Sequence, residues 1–471
     1  MERWSSPIGF ILAAIGAAVG IGNIWRFFAV LGQNGGGAYL IPYFIAVFVF
    51  ALPLMILEIA MGRRFRGTVV SAFGAVRPKF RIIGWLICAI VFLILSYYLV
   101  ITGWTIAYTV FSVTGDPVTF TGFTGSYQPV IYAVLAVLVT GIIVSMGIRQ
   151  GIEKVSMILI PVCIIVLVVM ALYSVTLPGF SEGMRFLFTP DFTVLFHAEI
   201  WIAAFGQAFF SLSVGEGILL TYGSYMAKEQ DIPRAALIIT VADLCVALLA
   251  GAVIFPVVFS YGLSPTIGAE LAFTTLPIAF SRMPLGQVFA IAFFTVLFFA
   301  AITSAVSMLE VCVAAVDEAV GWTRKKTTAI LTGLLLLVTL VPALSYSAMQ
   351  LSVTGIPVLD VMDDTVGTLG LHITAVLVAV AFTSFLSPDA FHRELGATTH
   401  LNQTVFFLCK YVIPVALLLT VGVELATGIQ VPGTSYIPGT RYIGSVLQAE
   451  GVALFAFLIL MVCVIAGRVR K

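Results

Sequence analysis

Two short stretches hold residue types that an ordinary membrane helix avoids. Residues 16–27 read GAAVGIGNIWRF and residues 210–217 read FSLSVGEG, each inside a long apolar run. Glycine in a helix interior costs about 1 kcal/mol relative to alanine. A charge such as Arg26 at the centre of a membrane helix costs roughly 2.5–3.5 kcal/mol on insertion scales, which makes an intramembrane ion a functional signal by default. The chemistry on offer is that of opened backbone. Unwound peptide groups are tolerated at membrane depth only where they line a cavity and find partners there. Half-helix amino ends attract a carboxylate, and freed carbonyls and hydroxyls are the hard oxygen ligands a small cation prefers. Close helix packing accounts for lone glycines, but not for Asn23 beside them or for Ser211–Leu212–Ser213. A nucleotide-binding loop is excluded at GIGNIW, because the third glycine is missing and no strand precedes it.

Further polar residues fall inside apolar runs: Glu58, Asp243, Glu310, Asp360 and Asp363. Some of these can cap helices or line the mouth of a cavity, and for Glu310 and Asp360 both readings stay open. The four histidines lack metal-ligand spacing, and the serines suit ion ligation better than nucleophilic attack, so no enzyme is expected. All six cysteines (88, 163, 245, 312, 409 and 463) lie in apolar runs and read as small core residues without a disulfide framework.

The elements that must position these residues follow from composition. The chain of 471 residues is 61% hydrophobic and 10% charged, against roughly 25% charged residues in soluble domains. About 20 apolar residues cross a bilayer as a helix. That length predicts spans near 8–30, 38–61, 82–113, 129–148, 152–177, 197–226, 233–261, 285–319, 327–346, 356–387, 404–426 and 448–467. The first run lacks a small-residue cleavage site and reads as a retained span. All 23 lysines and arginines except Arg26, Arg185, Arg282 and Arg441 fall on the amino-terminal face. Basic loops stay inside, so both termini are expected in the cytoplasm of a multi-pass plasma-membrane protein. Short outer loops point to a prokaryotic inner membrane.

The two interruptions begin matching five-span halves, the pattern of an inverted-repeat secondary transporter. The expected fold class is an all-α polytopic membrane protein of about 12 transmembrane helices, a five-plus-five inverted repeat with broken spans 1 and 6. It forms one transporter domain over 1–471, with repeat one at 8–177, repeat two at 197–387, and accessory spans 404–426 and 448–467.

GAAVGIGNIWRF, NGGGAYLIPY (34–43), PLMILEIAMGR (53–63), SYY (96–98) and GQAFFSLSVGEG with TYGSY (206–225) resemble the neurotransmitter:sodium symporter family. The likeness is greatest to its prokaryotic amino-acid transporters, which share the leucine-transporter fold, and it covers spans 1–8 and 10. Gly20 stands where monoamine carriers place an aspartate, so the resemblance implies an α-amino acid substrate. Its carboxylate would meet the amides around Gly22, the Tyr98 hydroxyl and a sodium ion. Its amine would meet carbonyls around Ala18 and Phe210 and the Ser213 hydroxyl, under a Phe210 lid. Ile94, Ser213, Glu216, Ser304 and Met308 would surround the side chain. Two transported sodium ions are implied, with no organic cofactor and no nucleic-acid partner. The first would use Ala18, Asn23, Ser211 and Asp243 together with the substrate. The second would use carbonyls of Gly16, Val19 and Ala300 and the hydroxyls of Thr303 and Ser304.

Two residues depart from the family pattern. A hydrophobic or aromatic residue is usual where Glu216 stands; the carboxylate can recognise a polar or cationic group, carry a proton, or turn toward its own helix's amides. A neutral Asn is usual at Asp243, while Ala247 lacks the hydroxyl or carboxylate expected one turn away. Asp243 can supply the missing negative charge, which predicts chloride-independent transport. The resemblance also implies an outer gate, Arg26 with Asp363, and an inner gate of Arg3, Trp4, Tyr225 and Glu318, with Asp317 able to replace Glu318. Gly151 and Pro161 frame either an unwinding element in span 5 or a plain proline kink. The reading is a sodium-coupled amino-acid symporter working by alternating access. A proton-coupled or other zwitterion carrier of the same fold is the alternative. A channel has no use for gates on both sides of a single-solute pocket.

Overall fold

The computed structural model describes residues 3–116, 118–264, 272–396 and 400–427. Over these residues the chain is helical except for connecting turns and a short hairpin pairing Ser352–Val353 with Ile356–Pro357. Eleven spans lie where hydropathy places them. Span 1 is Pro7–Ala18 plus Gly22–Gln33, span 2 Gly37–Phe65, span 3 Pro78–Thr114, span 4 Gln128–Ser145 and span 5 Ile148–Ser174. Span 6 is Ala198–Ser211 plus Ile218–Ser224. Span 7 is Ile232–Ser260, span 8 Gly286–Val320, span 9 Arg324–Ser345, span 10 Val358–Ser384 and span 11 His400–Gly422. The expected twelfth span at 448–467 lies outside the described residues, as does Cys463. The other five cysteines are free thiols.

The first half of span 1 starts cleanly: Ser6 caps it by accepting from the Gly9 amide, and Pro7 fills the first turn. It ends at Ala18, where Val19 turns extended. The chain resumes at Gly22 in a run of wide turns to Arg26, and the two halves meet at a 49° bend. The break, at 19–21, is narrower than the glycine-bearing stretch 16–22. Gly16 stays helical because its role is close packing, with Thr303 Cβ 3.2 Å and Ile160 Cδ1 3.3 Å from where its own Cβ would lie. In span 6 the irregular residues are 212–217, and Ser213, Gly215 and Gly217 hold φ of 49°, 91° and 72°. Span 5 shows wide turns over Ile148–Glu153 and then an unbroken helix through Pro161, so the Gly151–Pro161 stretch is not unwound here.

Spans 1 and 6 occupy the centre, and the long helices of spans 3 and 8 pack along each other beside them. Ile131 and Ile142 on span 4, Ile165 and Leu172 on span 5, Leu337 on span 9 and Leu419 on span 11 remain exposed. Such an apolar belt is far beyond what a water-facing surface carries, and it marks the lipid side. Span 2 lies directly against the second half of span 6. A Cβ on Gly62 would overlap the Leu220 carbonyl, so this contact requires glycine. Gly62→Ala is expected to cost about 1–3 kcal/mol through overpacking, seen as a lower Tm in a detergent thermal-shift assay. Gly333→Ala meets nothing within 4 Å and should leave Tm unchanged; equal Tm values for the two variants would contradict this packing.

Candidate functional site

The breaks in spans 1 and 6 face each other, and their bared peptide groups are taken up by side chains. Asn23 Oδ1 accepts from the Gly20 amide at 3.0 Å, and the Tyr98 hydroxyl accepts from the Ile21 amide at 3.2 Å. Gln207 Nε2 donates to the Gly22 carbonyl at 2.9 Å. Ser213 and Ser304 both donate to the Ala17 carbonyl, at 3.0 and 3.1 Å. From span 2, Glu58 Oε1 accepts from the Gly215 amide at 2.7 Å. Every one of these groups is buried, where an unmet polar atom is costly.

Between the breaks lies a narrow cavity lined by Ala17, Ala18, Gly20, Gly22, Tyr98, Phe210, Ser213, Glu216, Ser304 and Met308. Nine of these are the expected substrate residues; Ala17 is an addition. Ile94 is buried in span 3 one turn before Tyr98, and Ser211 lies in the polar cluster beside the cavity; neither is in the wall. A Cβ on Gly20 would sit 2.7 Å from Ser304 Oγ and 2.8 Å from the Tyr98 hydroxyl. A side chain at Gly20 would have to displace both hydroxyls, which with the Gly20 backbone line that part of the cavity.

Beside it, Asn23 Nδ2 donates to Ser211 Oγ at 2.9 Å and to Asp243 Oδ1 at 2.7 Å, while Ser211 donates to Asp243 Oδ2 at 2.9 Å. Asn23, Ser211 and Asp243 thus form one buried cluster, drawn from spans 1, 6 and 7. On the opposite side of span 1, the Ser304 hydroxyl reaches the carbonyls of Gly16 at 3.2 Å and Ala300 at 3.3 Å, and Thr303 donates to the Ala300 carbonyl at 3.0 Å. Val19, at the carboxyl end of the same helix, continues that edge.

Above the cavity, the Arg26 guanidinium stands 4.5 Å from the Phe210 ring centroid, and Arg26 Nη2 donates to Thr368 Oγ1 at 3.4 Å. Asp363 is buried on span 10, its Oδ1 and the Tyr97 hydroxyl both against Gly367. Arg26 and Asp363, the expected outer gate, both lie on this side of the cavity and are not in ion-pair contact in this structure. The cation is held by the aromatic face instead.

Below the cavity, Trp4 packs edge-on to Tyr222 and Tyr225, and its Nε1 donates to the Tyr222 carbonyl at 3.0 Å. Of the four residues expected at the inner gate, Trp4 and Tyr225 are in contact, and Arg3 and Glu318 are not joined. Arg3 is exposed and offers its carbonyl to Arg149 Nε, while Glu318 accepts from the Thr68 amide. The ion pair at this level is Arg324–Glu310, and Glu310 also accepts from the Tyr225 hydroxyl at 2.9 Å. Sequence reading flagged Glu310 as buried and missed its partner. Gly321, with φ of 70°, turns the chain from span 8 into span 9 and brings Arg324 back onto Glu310. Asp360, the other residue left open, accepts from the Tyr346 hydroxyl at 3.0 Å. A wider cavity of about 830 Å³, counting solvent at its mouth, opens beneath this network beside Thr68, Asp317 and Glu318.

A cavity at the junction of two broken membrane helices, covered on one side by an aromatic lid and on the other by an aromatic plug, defines a carrier for small solutes. The model of the sodium:neurotransmitter symporter family matches residues 1–127 and 123–467, and the chain belongs to that family. It is 34% identical over 435 residues to an uncharacterized sodium-dependent transporter, YhdH, of Bacillus subtilis, covering 88% of this chain and 96% of the relative. An uncharacterized sodium-dependent transporter of Methanocaldococcus jannaschii is 32% identical over 444 residues, covering 88% and 89%. The crystal structure of MhsT in complex with L-phenylalanine aligns with a TM-score of 0.83 and 36% identity, covering 89% of this chain and 99% of that one. The chain is thus a multi-pass, sodium-coupled symporter of the leucine-transporter fold and not an enzyme.

The Glu310 network generates a direct prediction. Removing one partner of a buried pair leaves an uncompensated charge, so Glu310→Gln and Arg324→Gln should each loosen the closure below the cavity. In a background lacking native cysteines, Ser307→Cys should react with a thiol reagent applied from the side of the amino terminus at least fivefold faster in either variant. An unchanged rate would show that the network does not hold that side shut.

Proposed function

We propose that this symporter imports an α-amino acid together with two sodium ions, independently of chloride, across a prokaryotic inner membrane with its termini in the cytoplasm. One observation carries the substrate class: at Gly20 a side chain would crowd the Ser304 and Tyr98 hydroxyls, and Tyr98 meets the unwound backbone at the Ile21 amide beside it. Such a surface suits a carboxylate. L-Phenylalanine bound to MhsT is an α-amino acid, which supports the same reading. The amine would turn to the carbonyls of Ala17, Ala18 and Phe210 and to Ser213.

The first sodium ion would sit among Ala18, Asn23, Ser211, Asp243 and the substrate carboxylate. Asn23 presents its amide nitrogen to Asp243, so binding there calls for the amide to rotate and offer Oδ1. The shared carboxylate makes each ligand raise the affinity for the other. The second ion would use Gly16, Val19, Ala300, Thr303 and Ser304, tying the cytoplasmic half of span 1 to span 8. Asp243 brings a fixed negative charge to the place where Ala247 supplies none, and this favours chloride independence. The 8–177 and 197–387 repeats would move against each other, with Arg26, Phe210 and Asp363 on the outer path and Trp4, Tyr225, Glu310 and Arg324 on the inner. Two charges crossing 100 mV supply about 4.6 kcal/mol, or roughly three orders of magnitude of accumulation.

Uptake of a tritiated amino-acid panel into proteoliposomes tests this. Replacing external sodium by potassium should lower uptake at least tenfold, and replacing chloride by gluconate should change it less than twofold. Asp243→Asn should make uptake rise when chloride is added. Chloride-dependent uptake by the unaltered protein would remove the assigned role of Asp243.

A further inference from the structure

Glu216 is the one charged-type side chain in the wall of the central cavity, and none of the contacts above uses it. It is buried, and its Oε2 has no hydrogen-bond partner among the described residues. The remaining wall residues are neutral. The amide nearest in sequence is taken, because Gly215 donates to Glu58, which excludes a Glu216 folded onto that N–H. Gly215 and Gly217 flank Glu216 with positive φ, a backbone that lets the intervening side chain face the cavity. No lysine or arginine among the described residues forms an ion pair with it. Arg26, above the cavity, lies against the Phe210 ring.

A carboxylate at membrane depth, without a donor and with a second carboxylate on the neighbouring Gly215, is unfavourable until something pairs with it. A cationic group that enters the cavity with the solute would supply that partner. We propose that the transported amino acid carries a cationic side chain, whose ammonium or guanidinium group is held by Glu216 while its α-carboxylate lies at Gly20 and Tyr98. This rests on the α-amino acid reading above and adds the side-chain class. Met308, the flexible thioether in the same wall, gives the aliphatic stem an adaptable apolar surface.

Lysine and norleucine share an aliphatic chain and differ in the terminal charge, so they isolate this term. Sodium-dependent uptake of tritiated lysine, ornithine, arginine, norleucine, leucine and phenylalanine is measured in proteoliposomes for the unaltered protein and for Glu216→Met. The unaltered protein should take up at least one of the cationic three at tenfold or more the rate of norleucine. Glu216→Met should lose that preference and favour norleucine. Sodium-driven uptake of norleucine, leucine or phenylalanine at or above the rates of all three cationic substrates overturns the inference and leaves the amino-acid symporter standing. Absence of sodium-driven uptake for every amino acid tested overturns both. The first comparison needs no variant, so a poorly folding Glu216→Met does not decide the outcome.

Discussion

Everything in this molecule depends on the need of bared peptide groups for partners in a medium that offers none. Opening two helices at mid-membrane frees amides at Gly20, Ile21 and Gly215 and carbonyls at Ala17 and Gly22. Asn23, Tyr98, Glu58, Ser213, Ser304 and Gln207 meet them. Several of these side chains belong to other spans, so the break in span 1 is held open by spans 3, 6 and 8 and the break in span 6 by span 2. In the proposed cycle the same groups exchange partners with substrate and sodium. An ion and a solute that share one set of partners are coupled without any long-range pathway.

The two closures differ in kind. On the outer side, a guanidinium rests on an aromatic lid, with a carboxylate near but not touching. That arrangement has few fixed bonds to break. On the amino-terminal side, Trp4, Tyr222, Tyr225, Glu310, Arg324 and Ser307 form a network of ring contacts, hydrogen bonds and one ion pair. A buried charged pair contributes little net stability, yet it has two well-defined states, bonded and hydrated, which suits a gate.

The architecture was legible because its signals are local. Apolar length located eleven spans within a few residues, and glycine beside Asn23 and Ser211 marked both breaks. Glycine alone does not delimit the first break, because it serves two ends: Gly16 packs against Thr303 and Ile160 inside a helix, whereas Gly20 and Gly22 lie at the opening. The cavity wall was legible almost residue by residue through its likeness to known motifs, with Ala17 missed because alanine carries no polar signal of its own. The inner ion pair was not legible. Arg324 belongs to a basic cluster that reads as an ordinary cytoplasmic loop, and only the turn at Gly321 aims it at Glu310. Arg3 has the charge for that role but stands exposed at the start of the described chain.

Thermodynamic linkage is the most direct test of a site built from shared partners. Equilibrium binding of the transported amino acid to purified protein is measured across a sodium titration, and sodium affinity is measured with and without saturating amino acid. The account predicts that sodium raises amino-acid affinity and that the amino acid raises sodium affinity by the same factor, tenfold or more. Amino-acid affinity that is equal in sodium and in potassium would contradict it.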